Sequence, residues 1–287
     1  FVDSFTHGDE ATLDETWESA LERLDGRLEV LNFGVNGYGP DQAFLRYQEQ
    51  GIAFEPQIVL IGLLSENIRR TVSLFRPFYY QDTRFPLTKP RFLFEGDRFV
   101  LMENPFAHVK DPDGFLQNER KELARLGAYD YHYRIKSDRG ALDVLPSVRL
   151  LKIILYAYRS RFGPARILRW DGPYAPDSEA FRVTLKILEV FRETSLGNGS
   201  FPLIVLFPER QDLIKFRTRG IHRYGSLVNE LRKKGIAYVD LMDAFERYGK
   251  DEAVERLIPT HYSPLGNAIV ARFLFNYLRE NDLLTSE

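Results

Sequence analysis

Four short blocks of this chain hold the side chains that acyl transfer needs. Asp3-Ser4-Phe5-Thr6 offers a hydroxyl nucleophile. Asn32-Phe33-Gly34-Val35-Asn36-Gly37-Tyr38-Gly39 is a glycine loop able to present backbone N–H groups. Ser65-Glu66-Asn67 offers a side-chain amide, and Thr260-His261-Tyr262-Ser263-Pro264 offers an imidazole. A serine hydroxyl is a weak nucleophile near neutral pH and needs an adjacent base. Histidine serves as that base and then as the acid that protonates the leaving alcohol. The tetrahedral intermediate needs donors aimed at its oxyanion, each worth about 3–4 kcal/mol of barrier.

These blocks matter only if one scaffold brings them together, and the surrounding pattern describes such a scaffold. Phe1-Val2 reads as the end of a strand. Thr12–Leu24 has helical spacing, Leu28–Asn32 is a strand candidate, Asp41–Gln50 is a second helix and Ile58–Gly62 a β-branched run. Alternating strand and helix on this scale predicts a parallel sheet in a doubly wound α/β fold. In such sheets ligands bind beyond the carboxyl ends of the strands, where each block falls. The rhythm breaks at 63–177, read as a long insertion with no independent core pattern. It carries a hairpin over Pro90–Asn104 around Glu95-Gly96-Asp97, a helix near 115–126, an apolar helix over Val148–Phe162 and a loop over 163–177. It resumes with a helix over Ser178–Thr194, a strand at Pro202–Phe207, a helix at Tyr224–Lys234, a strand at Ile236–Leu241 and a closing helix at Pro264–Glu280.

Composition narrows the function classes. The 287 residues are 44% hydrophobic and 28% charged, a globular balance. With 39 Lys+Arg against 41 Asp+Glu, the net charge of −2 points away from nucleic acid. No apolar run is long enough to span a bilayer. There is no cysteine, so disulfides, thiolate catalysis and Cys-bound zinc are excluded. No paired-histidine spacing suggests another metal site, and no cofactor is expected. Phe1-Val2 reads as the tail of a strand that begins upstream. An upstream signal or anchor would make the protein exported or periplasmic, and the compartment stays open.

In the order DSFTHGDE, NFGVNGYGPDQ, HYSPLGN, the chain resembles the SGNH (GDSL-type) hydrolase superfamily, in a bacterial lipase/acylhydrolase-like branch associated with acyl esters on carbohydrates. The resemblance spans the chain. It implies a flavodoxin-like three-layer α/β/α sandwich with a five-stranded parallel sheet, a single domain over 1–287 with the 63–177 insertion after the third strand. It implies Ser4 as nucleophile and His261 as base, with an oxyanion hole from the Ser4 and Gly37 backbone N–H groups and the Asn67 side chain. Asn67 is preferred to Glu66 because an ionised carboxylate only accepts hydrogen bonds. The sequence departs from the family at Val2, where glycine is usual, and at Ile258, where an acid usually precedes the histidine by three residues. The expectation is therefore a Ser4–His261 dyad, with Glu209 and Glu255 as remote candidates for a third member.

Other residues have plainer readings. Serine after a strand commonly caps a helix, and His108, His132 and His222 have no motif around them. His7 is a pocket candidate by its closeness to Ser4, and Arg69, just after Asn67, is another. Phe75–Tyr80 is read as packing or as a sugar-stacking wall. The resulting expectation is a metal-independent serine esterase acting on a small-molecule or saccharide ester. Its rivals are an O-acyltransferase acting on a polysaccharide and a non-catalytic binding protein of the same fold. The oligomeric state is left open.

Overall fold

The computed structural model describes residues 1, 3–8, 11–80, 87–106, 117–136, 141–163 and 166–284. In chain order it begins with helices α1 (Ser4–His7), α2 (Trp17–Leu24) and α3 (Pro40–Arg46) and strand β1 (Ile58–Leu64). Next come α4 (Asn67–Arg70), α5 (Arg76–Tyr79), strands β2 (Arg91–Glu95) and β3 (Arg98–Met102), α6 (Glu119–Gly127), α7 (Tyr131–Lys136) and α8 (Pro146–Phe162). The last third holds α9 (Glu179–Gly197), β4 (Phe201–Phe207), α10 (Arg210–Arg219), α11 (Gly225–Lys233), β5 (Tyr238–Asp240), α12 (Leu241–Tyr248), α13 (Val254–Leu257) and α14 (Pro264–Glu280). The chain divides into two compact units, Phe1–Asn67 with Leu188–Glu287, and Ile68–Ile187.

The first unit is built on a parallel sheet in the order β1-β4-β5, with Ile61 opposite Ile204 and Ile204 opposite Tyr238. Both long strands are buried apolar runs, IVLIGLL and FPLIVLF, as expected for a sheet covered by helices. α14 packs against α2 and α12, and α3 lies against β1. Helix starts follow capping chemistry. Thr16 accepts from Ser19 N–H (3.3 Å), Asp240 from Met242 N–H (3.0 Å) and Ser263 from Gly266 N–H (3.1 Å).

The expected parallel sheet is met in part. Among the described residues it has three strands, not five. Phe1 adds a single step of parallel pairing at the edge of β1. Its nitrogen donates to the Leu60 carbonyl (3.0 Å), and its carbonyl accepts from Gly62 N–H (3.1 Å). Leu28–Asn32 forms no strand and joins no ladder. Val30 N–H instead donates to the Glu22 carboxylate (2.8 Å), a local bond that replaces strand pairing.

The second unit, Ile68–Ile187, overlaps the 63–177 segment. Its hairpin pairs Phe92 with Leu101 and Phe94 with Phe99, and Gly96 takes the positive φ of 62° that the turn requires. Leu74, Phe75, Phe78 and Leu126 form an apolar cluster. Two buried charged residues tie the unit together. Asp130 accepts from Ser73 Oγ (3.1 Å) and from the backbone N–H groups of Leu74 (2.6 Å), Phe75 (3.2 Å), His132 (2.8 Å) and Tyr133 (3.1 Å). Arg91 donates to the Thr71 carbonyl (3.2 Å), the Tyr129 carbonyl and the Glu179 carboxylate. A buried charge is tolerated only with such partners.

Candidate active site

The pairing of Phe1 with β1 carries the chain to the carboxyl end of that strand, where Asp3 turns it into α1. Asp3 is the N-cap: its carboxylate accepts from Phe5 N–H (3.0 Å), and Ser4 becomes the first helical residue. Gly8 ends the turn in the left-handed region (φ 80°) and donates to the Ser4 carbonyl (3.0 Å). A Cβ at Gly8 would also lie 2.8 Å from Thr16 Cγ2, so the glycine is required twice over. Asp3 is fully buried and Ser4 is 7% exposed. His7 lies in α1, but its side chain falls outside the described residues.

The block after β1 meets this elbow directly. Asn67 Nδ2 donates to the other Asp3 oxygen (2.9 Å) and to the Tyr38 carbonyl (3.1 Å). The opposite amide orientation would set an oxygen against two acceptors, so these contacts fix which end of the amide is the donor. One buried amide group therefore joins the serine block, the glycine loop and the asparagine block. Both of its hydrogens are engaged there, and Oδ1 is buried without a hydrogen-bond partner among the described residues. Gly37, one residue before Tyr38, takes φ 83° in the loop turn.

The histidine block arrives through aromatic packing. The His261 ring lies 5.0 Å from the Phe5 ring, centroid to centroid, and Phe5 packs edge-on against Tyr262 at 4.9 Å. The residues around His261 hold its loop. Tyr262 Oη donates to the Pro208 carbonyl (3.0 Å), Ser263 caps α14, and Asn267 Nδ2 donates to the Glu15 carbonyl (2.8 Å). A Cβ at Gly266 would come within 2.5 Å of the Leu257 carbonyl oxygen, so that close approach demands glycine. Ile258, three positions before the histidine, is fully buried and belongs to the apolar core. Burial holds the Tyr262 hydroxyl well above its ordinary pKa, so it stays a neutral donor. No hydrogen bond joins Ser4 Oγ to His261 among the described residues.

The remote carboxylates are engaged elsewhere. Glu209 accepts from Ser65 Oγ (2.9 Å) and Arg223 (3.2 Å), and Glu255 pairs with Arg210 (2.9 Å). Burial pushes Glu209 up to about 7, reinforced by Asp212 and Glu66 and opposed by its bond to Ser65. Among the described residues no cluster of three or more His, Asp or Glu could hold a metal ion. Arg69 lies in the second unit, with its guanidinium 5.7 Å from the Tyr79 ring centre.

Comparison with known proteins adds a distant likeness. No family profile matches the chain, and no curated protein matches it. Among solved structures it is similar to a protein assigned to the G-D-S-L lipolytic family from Desulfitobacterium hafniense DCB-2. Identity is 11% and the TM-score 0.45, over 96% of this chain and 95% of that one. At that TM-score the likeness decides neither the fold nor the activity.

Some of the site escaped sequence reasoning. Asp3 and the Tyr38 carbonyl hold Asn67, yet neither had an assigned role. An acid immediately before a serine that opens a helix is an N-cap signal, which would have found Asp3. A cavity of about 410 Å³ opens beside Glu18, Asn32, Phe33 and the first half of β1. Its lining includes Thr6 but none of Ser4, Gly37, Asn67 or His261.

Proposed function

We propose that this chain is a metal-independent serine esterase or acylhydrolase, cleaving a small acyl ester such as an O-acetyl group on a carbohydrate. The observation that carries the reading is the Asn67 amide, which hydrogen-bonds both Asp3 and the Tyr38 carbonyl. It gathers three of the four sequence blocks, and the Phe5–His261 ring contact supports the fourth.

In this reading Ser4 Oγ attacks the ester carbonyl carbon while His261 takes its proton. The carbonyl oxygen becomes an oxyanion and meets the Ser4 and Gly37 backbone N–H groups. Asn67 joins them by exchanging its bond to the Tyr38 carbonyl for one to the oxyanion. Collapse of the tetrahedral intermediate breaks the ester C–O bond, and His261 returns the proton to the departing alcohol. Water, activated by the same imidazole, then attacks the acyl-enzyme and releases the acid and Ser4. The Ser4–His261 hydrogen bond forms as substrate enters, since catalytic hydrogen bonds often tighten only in the substrate complex. A saccharide hydroxyl in place of water would make the same intermediate serve acyl transfer.

Hydrolysis of p-nitrophenyl acetate by wild type and Ser4→Ala, together with labelling by a fluorophosphonate probe, tests the proposal. Wild type should turn over and label at Ser4, and Ser4→Ala should do neither. Failure of the folded wild type to label would favour a non-catalytic binding protein. Turnover retained in Ser4→Ala would remove Ser4 as the nucleophile.

A further inference from the structure

Helix α8 has an unusual distribution of exposure for its composition. It reads PSVRLLKIILYAYRSRF, and none of its seventeen residues is buried. Its half-buried residues Val148, Lys152, Tyr156 and Ser160 recur every four positions. They form one narrow line along the helix, and among the described residues α7 and the turn Ala141–Val144 pack on α8. The broad remaining arc carries Leu150, Leu151, Ile153, Ile154, Tyr158 and Phe162, each more than half exposed. An apolar surface of this extent marks an interaction site.

The charges on the helix select the partner. α8 contains Arg149, Lys152, Arg159 and Arg161 and no acid. Lys152 pairs with Asp143 (2.8 Å), while Arg149, Arg159 and Arg161 have no carboxylate partner among the described residues. Stepping 100° per residue puts Arg149 and Arg159 on the two margins of the apolar arc, Arg161 within it and Lys152 on the packed line. A second copy of this helix would bring like charges together. Among the described residues no helix is long and apolar enough to cross a membrane. An apolar arc flanked by basic residues is the pattern of a helix lying in the plane of a bilayer surface.

We propose that α8 docks this protein onto anionic lipid membranes, its aliphatic and aromatic side chains entering the acyl region and its arginines meeting lipid phosphates. The proposal requires no turnover, so it stands or falls apart from the esterase reading.

The test is flotation with phosphatidylcholine–phosphatidylglycerol vesicles and with phosphatidylcholine vesicles. Each basic residue near an anionic surface contributes about fivefold in affinity, so wild type should bind the anionic vesicles at least about tenfold more tightly, and high salt should erase the difference. Leu151→Glu combined with Ile154→Glu should abolish binding while leaving the melting temperature unchanged, because neither side chain is buried. Should that variant fail to fold, Arg159→Glu with Arg161→Glu poses the same question from the charge side and should lose the preference for anionic vesicles. The proposal is overturned if wild type ignores anionic vesicles or binds both kinds equally. It is equally overturned if the folded Leu/Ile variant binds like wild type, or if light scattering finds a dimer that the same variant splits, making a second copy the occupant.

Discussion

The Asn67 side-chain amide donates to the Asp3 carboxylate at 2.9 Å, between two fully buried groups 64 residues apart in the chain. Asp3 spends its other oxygen on the Phe5 N–H, so this bond couples the start of α1 to the end of β1. Asn67→Ala should therefore affect both catalysis and folding. Turnover should fall by about 10²–10³, the usual effect of losing one oxyanion donor, and the melting temperature should drop because Asp3 loses a buried partner. Asn67→Asp would set two carboxyl groups against each other, so one must hold a proton. Its melting temperature should rise as pH is lowered from 8 toward 5, because the folded state then binds the proton more tightly than the unfolded chain. A pH-independent melt for Asn67→Asp would contradict the coupling.

Glu209 and Glu255 have partners other than His261. Substitution of either by Gln should change turnover by less than about tenfold, roughly 1.4 kcal/mol in barrier. Glutamine at 209 can still accept from Ser65, so the fold should be retained. A loss of several hundredfold in steady-state kinetics of either variant would make that carboxylate part of the catalytic machinery.

Glu18 is 4% exposed, and burial pushes its carboxyl up to about 8 from 4.5. Asn32 donates to one of its oxygens (2.9 Å), while the other is buried without a hydrogen-bond partner. A folded-state pKa above the unfolded value means that the native state binds the proton more tightly. The contribution to stability is fully present below about 4.5 and is lost as pH rises through about 8. Glu18→Gln should melt close to wild type at pH 5 and above it at pH 9. Thermal denaturation across that range checks the sign, and a Gln variant that gains nothing at high pH would refute it.

Arg91 is a test of the second unit alone. It is 1% exposed and holds the Thr71 and Tyr129 carbonyls and the Glu179 carboxylate. Arg91→Met leaves those acceptors without a cation and should cost about 3–5 kcal/mol, as when one member of a buried ion pair is removed. Urea denaturation would read the loss. A variant as stable as wild type would show that this network contributes little net stability.

What could be read from the sequence depended on whether the signal was local. β1 and β4 announce themselves as β-branched or aromatic runs, the hairpin as two such runs around Glu95-Gly96-Asp97, and α14 by Ser263-Pro264 at its start. α10 is not legible because RQDLIKFRTR has little apolar periodicity, and α12 is not because it follows β5 without a break, with Asp240 as cap. The strand expected at Leu28–Asn32 has the right composition, but pairing is a property of two segments, and Val30 found the Glu22 carboxylate instead. The order of the four blocks could be read directly. That Asn67 would engage Asp3 and Tyr38 could not, because each partner is distant in sequence and one is a backbone carbonyl.

Asp130 has a consequence for how this chain tolerates change in length. Its bonds to Leu74 and Phe75 close a loop of 55–56 residues with one side chain. The entropy of closing a flexible loop grows only logarithmically, so doubling its length costs about 0.6 kcal/mol. Insertions or deletions of several residues between Tyr79 and Asp130, placed outside β2, β3 and α6, should barely alter the equilibrium so long as the carboxylate can reach its donors. Replacing Asp130 itself would remove five hydrogen bonds at once and leave the span held by Arg91 and the Leu74–Leu126 cluster. Variation in length and variation in identity are thus held to opposite standards within the same stretch of chain.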